Sequence, residues 1–486
     1  MILLNKKRIP IAILLGIIVS SIVLQGCSSR SEELKNKVIS YITSQQDVSV
    51  FGKVDLSSLI EKSKLESFSK IGPVAKSYIE SISAGINLES PIYFTCSGPF
   101  ERDGSPKQVV LFMDVLNKDS LINSVTRQGY DLNEINQVNY VEDTQRGFSL
   151  GITESMAILT FQERNHSYKS MTRIYNQCNL LSQSEKVDEI LSKEGDIACG
   201  VSLQNLYSTS NTALNQLTGN SQKALKRLVA NSYVGCSFHF EDGEFRIELD
   251  QLLNDKLRDM MFIEREDKPL ELADHLGSGN ARMGVSMNID FNKLEGFISS
   301  IDPNSLIQIK ESFSGLVQLF GIPIKATDSM SSLFTGQFGL VVLGEKGLTE
   351  GLSSMNGFIG LEPKGNRIAS QSKSVLNGFV PGVKLKPSGI SVYSESKNSN
   401  DGELLLPDCG DEFGQHGLDV FVDLAKLNTN QFEVSEATPY LRLIKSIKFH
   451  MTNEHGELVV QLKNQNNVLY EVIQTALNDL AKKIAI

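Results

Sequence analysis

The chain predicts an α+β fold made of two related units of antiparallel sheet with packed helices. Three observations lead there. Alternating apolar runs of strand length come in pairs around turn residues. Helical stretches fall between them without the regular strand–helix alternation of a parallel sheet. One strand-to-helix pattern, reading apolar, short polar, apolar, two free positions, leucine, occurs four times: Val54-Asp55-Leu56-Ser57-Ser58-Leu59, Val201-Ser202-Leu203-Gln204-Asn205-Leu206, Ile289-Asp290-Phe291-Asn292-Lys293-Leu294 and Val422-Asp423-Leu424-Ala425-Lys426-Leu427.

Each copy closes an apolar run, such as Met283, Val285, Met287 and Ile289, that reads as a half-buried strand. The Asp or Ser then stands where a side-chain oxygen accepts from free N–H groups of the first helical turn, and the leucine opens the buried face. Recurrence at equivalent junctions assigns these side chains to capping rather than metal ligation. Val54 to Ile289 spans 235 positions and Val201 to Val422 spans 221, so the copies pair at nearly one offset. Ser237–Leu249 also matches Lys448–Leu462, each reading as a hairpin around a Gly-containing turn. Both point to duplication, with two copies of the pattern in each unit.

In chain order, residues 1–26 are a leader. Lys6-Lys7-Arg8 gives the positive start, and Ile9–Leu24 is an apolar stretch too short for a membrane span. Residues 27–46 read as a tether with a short helical stretch over Leu34–Ile42. The first unit, 47–275, has a helix from Leu56, another opened by Pro73, and strands over 91–98 and 107–114 joined through Arg102-Asp103-Gly104. Helices then cover 119–128, closed by Gly129, and 184–194, ended by Gly195, with a hairpin between them over 147–153 and 156–161. Gly277-Ser278-Gly279-Asn280 reads as linker. The second unit, 276–486, has a helix from Asp302-Pro303 with an apolar stripe at Leu306, Ile309, Phe313, Leu316 and Leu319 that reads as core. Strands come next near 338–343, 358–361 and 390–393, then an acid- and Gly-rich loop over 401–417 and a final helix over 467–483.

The charge of −10 grows more negative once Lys6, Lys7 and Arg8 leave with the leader, and no basic block compensates, which argues against a nucleic-acid partner. The chain has no Trp, which lowers a carbohydrate-platform reading.

A search for chemistry returns no catalytic set, no metal site and no cofactor. Gly147-Phe148-Ser149-Leu150-Gly151 has the G-x-S-x-G form of a nucleophile elbow, but Ile152–Phe161 immediately after it reads as turn and strand, not the helix that form requires. The six histidines show no H-x-x-x-H spacing, and His239 and His450 fall at matching repeat positions that suggest shared packing. Asp408, Asp411, Glu412 and Asp419 could gather calcium, yet their spacing fits no calcium loop, so a solvated acidic loop is the expectation. Cys96, Cys178, Cys199, Cys236 and Cys409 are odd in number and mostly lie in apolar runs; Cys199 with Cys236 is a candidate disulfide.

Leu24-Gln25-Gly26-Cys27 resembles the bacterial lipobox, which implies cleavage before Cys27 and acylation of its sulfur and amine. Acyl chains contribute roughly 0.8 kcal/mol per buried CH2, enough when several are present to anchor a folded body. Ser28, rather than Asp, after the cysteine implies the outer membrane in lipoproteins of this kind. Ser28–Glu33 resembles a surface-export signal, although Arg30 interrupts it, so the periplasmic and surface faces both stay open. Lipobox, length and repeats together resemble an uncharacterised family of Bacteroidota-type envelope lipoproteins, known only as a domain of unknown function. That resemblance implies location and architecture and transfers no site residue beyond Cys27. The expectation is a non-enzymatic protein, tied to the membrane through acyl chains on Cys27, that binds or scaffolds an envelope partner. The alternatives are a serine hydrolase using Ser149 and a carrier of an apolar ligand.

Overall fold

The computed structural model describes residues 28–68, 72–100, 105–162, 168–209, 219–263, 272–319, 325, 327–344, 354–373, 382–393, 403–427 and 438–484. The leader, Cys27, His166 and the Arg102-Asp103-Gly104 turn lie outside them. In chain order the elements are α1 (Ser28–Ser44), β1 (Val48–Val54), α2 (Leu56–Ser63), α3 (Gly72–Ser83), β2 (Ile92–Ser97), β3 (Gln108–Asp114), α4 (Lys118–Arg127), β4 (Asn133–Ile135), β5 (Val138–Asp143), β6 (Phe148–Ile152), β7 (Met156–Gln162), α5 (Tyr168–Cys178), α6 (Glu185–Ser192), β8 (Ile197–Ser202), α7 (Leu203–Thr209), α8 (Gly219–Leu228), β9 (Tyr233–Glu241) and β10 (Glu244–Leu252). After these come α9 (Asp255–Arg258), β11 (Gly279–Asn288), α10 (Phe291–Ile301), α11 (Pro303–Leu319), β12 (Phe334–Leu343), β13 (Met355–Leu361), α12 (Pro363–Gln371), β14 (Val383–Lys386), β15 (Gly389–Val392), β16 (Leu404–Leu405), β17 (Leu418–Asp423), α13 (Thr438–Leu441), β18 (Ile444–Met451), β19 (His455–Leu462) and α14 (Val468–Ile484). The fold is α+β, and among the described residues the strand pairs are antiparallel except for the short β11–β16 pair.

Two compact units divide the chain. Unit 1 takes the chain up to Gln216 with Ala230–Asp242 and Asn466–Ile486, and unit 2 takes Leu217–Val229 and Gly243–Gln465. The sequence expectation of a break at 275/276 is therefore displaced. The chain leaves unit 1 at the Asp242–Gly243 turn, where Gly243 has φ +74°, and its last helix returns to unit 1. The supposed linker lies inside unit 2: Leu272 and Leu276 are buried with Ala281, Val341, Leu343 and Phe358 in its core. Glycine and serine gave that stretch a loop signature, but the flanking leucines decide where it packs.

Within unit 1, β1 lies between β2 and β8, with β3, β7, β6, β5 and β4 beyond β2 and β9 beyond β8. Residues 28–44, expected to belong to a tether, form α1 and bury Leu34, Val38, Ile39, Tyr41 and Ile42. Their spacing puts one apolar stripe against the sheet, where Tyr41 meets Phe112 at 5.2 Å between ring centroids. A polar start to the segment hid this stripe.

Within unit 2, β11 lies between β12 and β17, as β1 lies between β2 and β8. Beyond β12 come β13, β15 and β14, and beyond β17 come β18, β19 and β10. The equivalent strands β1 and β11 thus have equivalent neighbours. Close backbone approach fixes the end of β11: Gly336 has φ +93°, and a Cβ there would stand 1.9 Å from the Ile289 carbonyl oxygen. On α11 the expected core stripe is incomplete, because Ile309 is 51% exposed.

Three of the four repeated junctions are helix caps. Asp55 accepts from the Ser58 amide at 2.9 Å, Ser202 from the Asn205 amide at 3.3 Å, and Asp290 from the Asn292 and Lys293 amides at 2.9 and 3.1 Å. The fourth differs. Asp423 remains in β17, buried, and its Oδ2 lies 3.4 Å from Arg282 of β11. A local pattern predicts the cap; a cation on the neighbouring strand takes the carboxylate instead.

Candidate functional site

Register places every second residue of a strand on the same face of its sheet. In unit 2 this produces three cross-strand rows without a polar side chain. The middle row runs Ile247, Leu458, Phe449, Val420, Val285, Leu340, Gly357, Val392 and Val383. The row on one side runs from Leu249 through Met451, Leu418, Met287, Phe338 and Ile359 to Ile390 and Leu385, and the row on the other includes Phe245, Val460, Ile447, Val422 and Met283.

This face is accessible. Val285, Met287, Leu340 and Ile359 are 37, 36, 42 and 38% exposed, and the row residues of β10, β17 and β18 are all half-buried. At one end Phe291 of α10 packs on Phe338, 6.1 Å between ring centroids; away from it the exposed side chains form an apolar patch of the kind that can take an apolar partner. Sequence alternation announced the strands but could not say which face stays open.

The equivalent face of unit 1 is also apolar, with Phe94, Leu111, Leu159 and Leu150 in one row. It is better covered: Leu56 and Ile60 of α2 and Leu121 of α4 pack into the same cluster, with Ile86 and Leu88. Phe94, Val109, Leu159 and Phe161 stay half-buried at its edge.

The opposite face of the unit 2 sheet is polar towards β10, β19 and β18. Glu244, Arg246, Lys448 and Glu457 line a cavity of about 310 Å³ with Asp408 and Asp411. Arg246 pairs with Glu244 at 2.8 Å, and Lys448 with Glu412 at 2.6 Å and Asp411 at 3.2 Å. The supposed solvated loop is instead a roof. Asp419, buried beneath it, accepts from the Gly414 and His416 amides at 2.8 and 3.1 Å and from Ser286 Oγ at 3.2 Å. Of the four acids weighed for calcium, Asp419 sits in this amide cradle, Asp411 and Glu412 pair with Lys448, and Asp408 lines the cavity.

Ser149 is not on an elbow. It lies inside β6, paired with Glu142 of β5 and Thr160 of β7, is 3% exposed, and has its hydroxyl 3.3 Å from the Tyr140 hydroxyl. A serine in a doubly paired strand has backbone amides committed to the ladder and none free for an oxyanion. His239 and His450 do not share packing: His239 faces Ser237 at 3.3 Å, whereas His450 stacks on His416. Cys199 and Cys236 stand directly opposite each other on β8 and β9, both as free thiols.

No protein-family model matches the chain, and no curated protein matches it. Among solved structures, the chain is similar to two crystal forms of the Treponema protein TP0453. One form shows 10% identity and a TM-score of 0.27 over 46% of this chain and 84% of that one; the other shows 12% and 0.26 over 45% and 78%. Similarity this distant bears on neither fold nor function. Among the described residues, no helix is long and apolar enough to cross a membrane.

Proposed function

We propose that this chain is a non-enzymatic lipoprotein of the bacterial outer membrane, anchored through acyl groups on Cys27, that holds hydrocarbon chains on the open sheet face of unit 2. The observation that carries this reading is the set of three polar-free rows, accessible at Val285, Met287, Leu340 and Ile359. Recognition there is by apolar area alone, at about 25 cal/mol per Å² removed from water. Acyl chains are the ligand class such a surface prefers, and a lipobox protein lives beside their source. The same strand neighbours around β1 and β11 support descent of the two units from one duplicated ancestor. The burial of Ser149 weighs against the hydrolase alternative.

Native mass spectrometry of the protein released from membranes tests this reading. The expected result is an acylated Cys27 peptide together with non-covalent lipid that leaves on introduction of Leu340→Lys. An unmodified cysteine would remove the anchor, and a chain free of co-purifying lipid would remove the ligand.

A further inference from the structure

On the polar side of unit 2, the roof and the sheet bring two imidazoles and a carboxylate together. His416 and Glu412 come from the turns before β17, and His450 comes from β18, opposite Asp419 in register. One potential ligand atom from each of Glu412, His416 and His450 lies within 4.8 Å of the other two. The His416 and His450 rings stack with centroids 4.4 Å apart and 18° between planes.

From this geometry we propose a zinc site formed by Glu412, His416 and His450, with a fourth position left to water.

Its immediate surroundings are those of a metal site. His416 Nδ1 lies 2.7 Å from Asp419 Oδ1, and Asp419 is itself held by two backbone amides and Ser286, so Nδ1 donates and Nε2 carries the lone pair. A carboxylate behind a ligating imidazole fixes its tautomer and aim. Asp419 is therefore a positioning residue. His450 Nδ1 is buried with no hydrogen-bond partner, its nearest carboxylate being Glu457 Oε2 at 4.0 Å. Asp411 and Glu412 share one ammonium, Lys448, and Asp419 adds a third carboxylate beside His416, so the surroundings favour a cation.

Two imidazoles with one carboxylate select a transition metal over calcium or magnesium, which take oxygen ligands. Tetrahedral zinc with bonds of about 2.1 Å needs ligand atoms roughly 3.4 Å apart. As they stand the two rings are stacked and Glu412 pairs with Lys448, so zinc binding requires the rings to unstack and Glu412 to turn away from Lys448. Bound zinc would clip the roof to β18. This inference concerns the other side of the sheet and is independent of acylation and of the lipid face.

The test is a zinc titration of the full chain in detergent, stripped with chelator, against a chromophoric competitor, with cobalt absorption as a second readout. The expected result is one ion per chain and a cobalt spectrum without sulfur charge transfer. Binding should be lost in His450→Gln, weakened about tenfold or more in Glu412→Gln, and unchanged in Asp408→Asn. His416→Ala, on the turn, provides a second ligand deletion if the strand variant fails to fold. Zinc should also raise the melting temperature of the parent but not of His416→Ala. Undiminished binding in folded His416→Ala and Glu412→Gln, a sulfur band pointing to the cysteines, or the absence of any binding at micromolar zinc would each overturn the site.

Discussion

Lys62 Nζ stands 2.9 Å from Oδ2 of Asp196, a carboxylate 2% exposed. The same oxygen takes the Phe240 amide at 2.7 Å, and Oδ1 takes the Ser58 hydroxyl, so one side chain ties α2, β8 and β9 together inside unit 1. Removing it takes the acceptor away from the Ser58 hydroxyl and the Phe240 amide and leaves Lys62 with Glu241 alone, at 3.2 Å. Asp196→Ala should destabilise by about 3–5 kcal/mol in chemical denaturation, well beyond an exposed ion pair.

The same contact sets a pH response. Burial pulls the Lys62 pKa down, but bonds to Asp196 and Glu241 outweigh it and leave the pKa raised. A raised folded value means that the stabilisation is complete below the unfolded lysine value, about 10.4, and lost as pH rises through the folded one. Unfolding curves should therefore show the parent losing stability above about pH 10 more steeply than Lys62→Met.

The four repeated junctions should separate into two energetic classes. Asp55→Ala and Asp290→Ala each remove a cap and should cost about 1 kcal/mol. Asp423→Ala strands Arg282 and should cost about 3 kcal/mol or more. Equal costs at all three would contradict the different role of the fourth copy.

Ser149 offers a sharp control. Ser149→Ala should shift stability by only about 1 kcal/mol, and a fluorophosphonate probe should leave the folded parent unlabelled. Labelling at Ser149 would reinstate a nucleophile.

Thiol chemistry should follow environment. Burial pushes Cys96 up to about 11 and Cys178 up to about 12, while a hydrogen bond from Cys199 lowers Cys236 and the same contact raises Cys199. Maleimide at pH 8 should modify Cys236 before Cys96 or Cys178, as read by peptide mass spectrometry. Opposed residues of an antiparallel pair have Cα atoms about 4.5–5.5 Å apart, inside disulfide range, so mild oxidation should link Cys199 to Cys236.

How far the sequence reaches depends on the range of the interaction. Caps at Asp55 and Asp290, the turns at Gly129, Gly195 and Gly243, and the C-terminal helix are local, and composition plus period reveal them. Asp423 and Asp196 carry no such mark, because their partners Arg282 and Lys62 are 141 and 134 positions away. The tether and linker readings failed for one reason: α1 and the 272–281 stretch hide a few buried apolar residues among polar or glycine-rich neighbours. The apolar rows were half legible. Alternation along β11, β12 and β17 is plain, but their alignment into one open face exists only once register is known. The His416–His450 pair was invisible, since sequence scanning looks for ligands close together and these come from a turn and a distant strand.

The most direct measurement of the central claim is photocrosslinking of the purified full chain with a diazirine fatty acid, mapped by peptide mass spectrometry. Adducts should concentrate on β11, β12 and β17, around Val285, Leu340 and Val420, and fall at least tenfold in Leu340→Lys while the protein stays folded. Adducts scattered over the surface, or undiminished in that variant, would contradict the assignment of the unit 2 sheet face as a site for hydrocarbon chains.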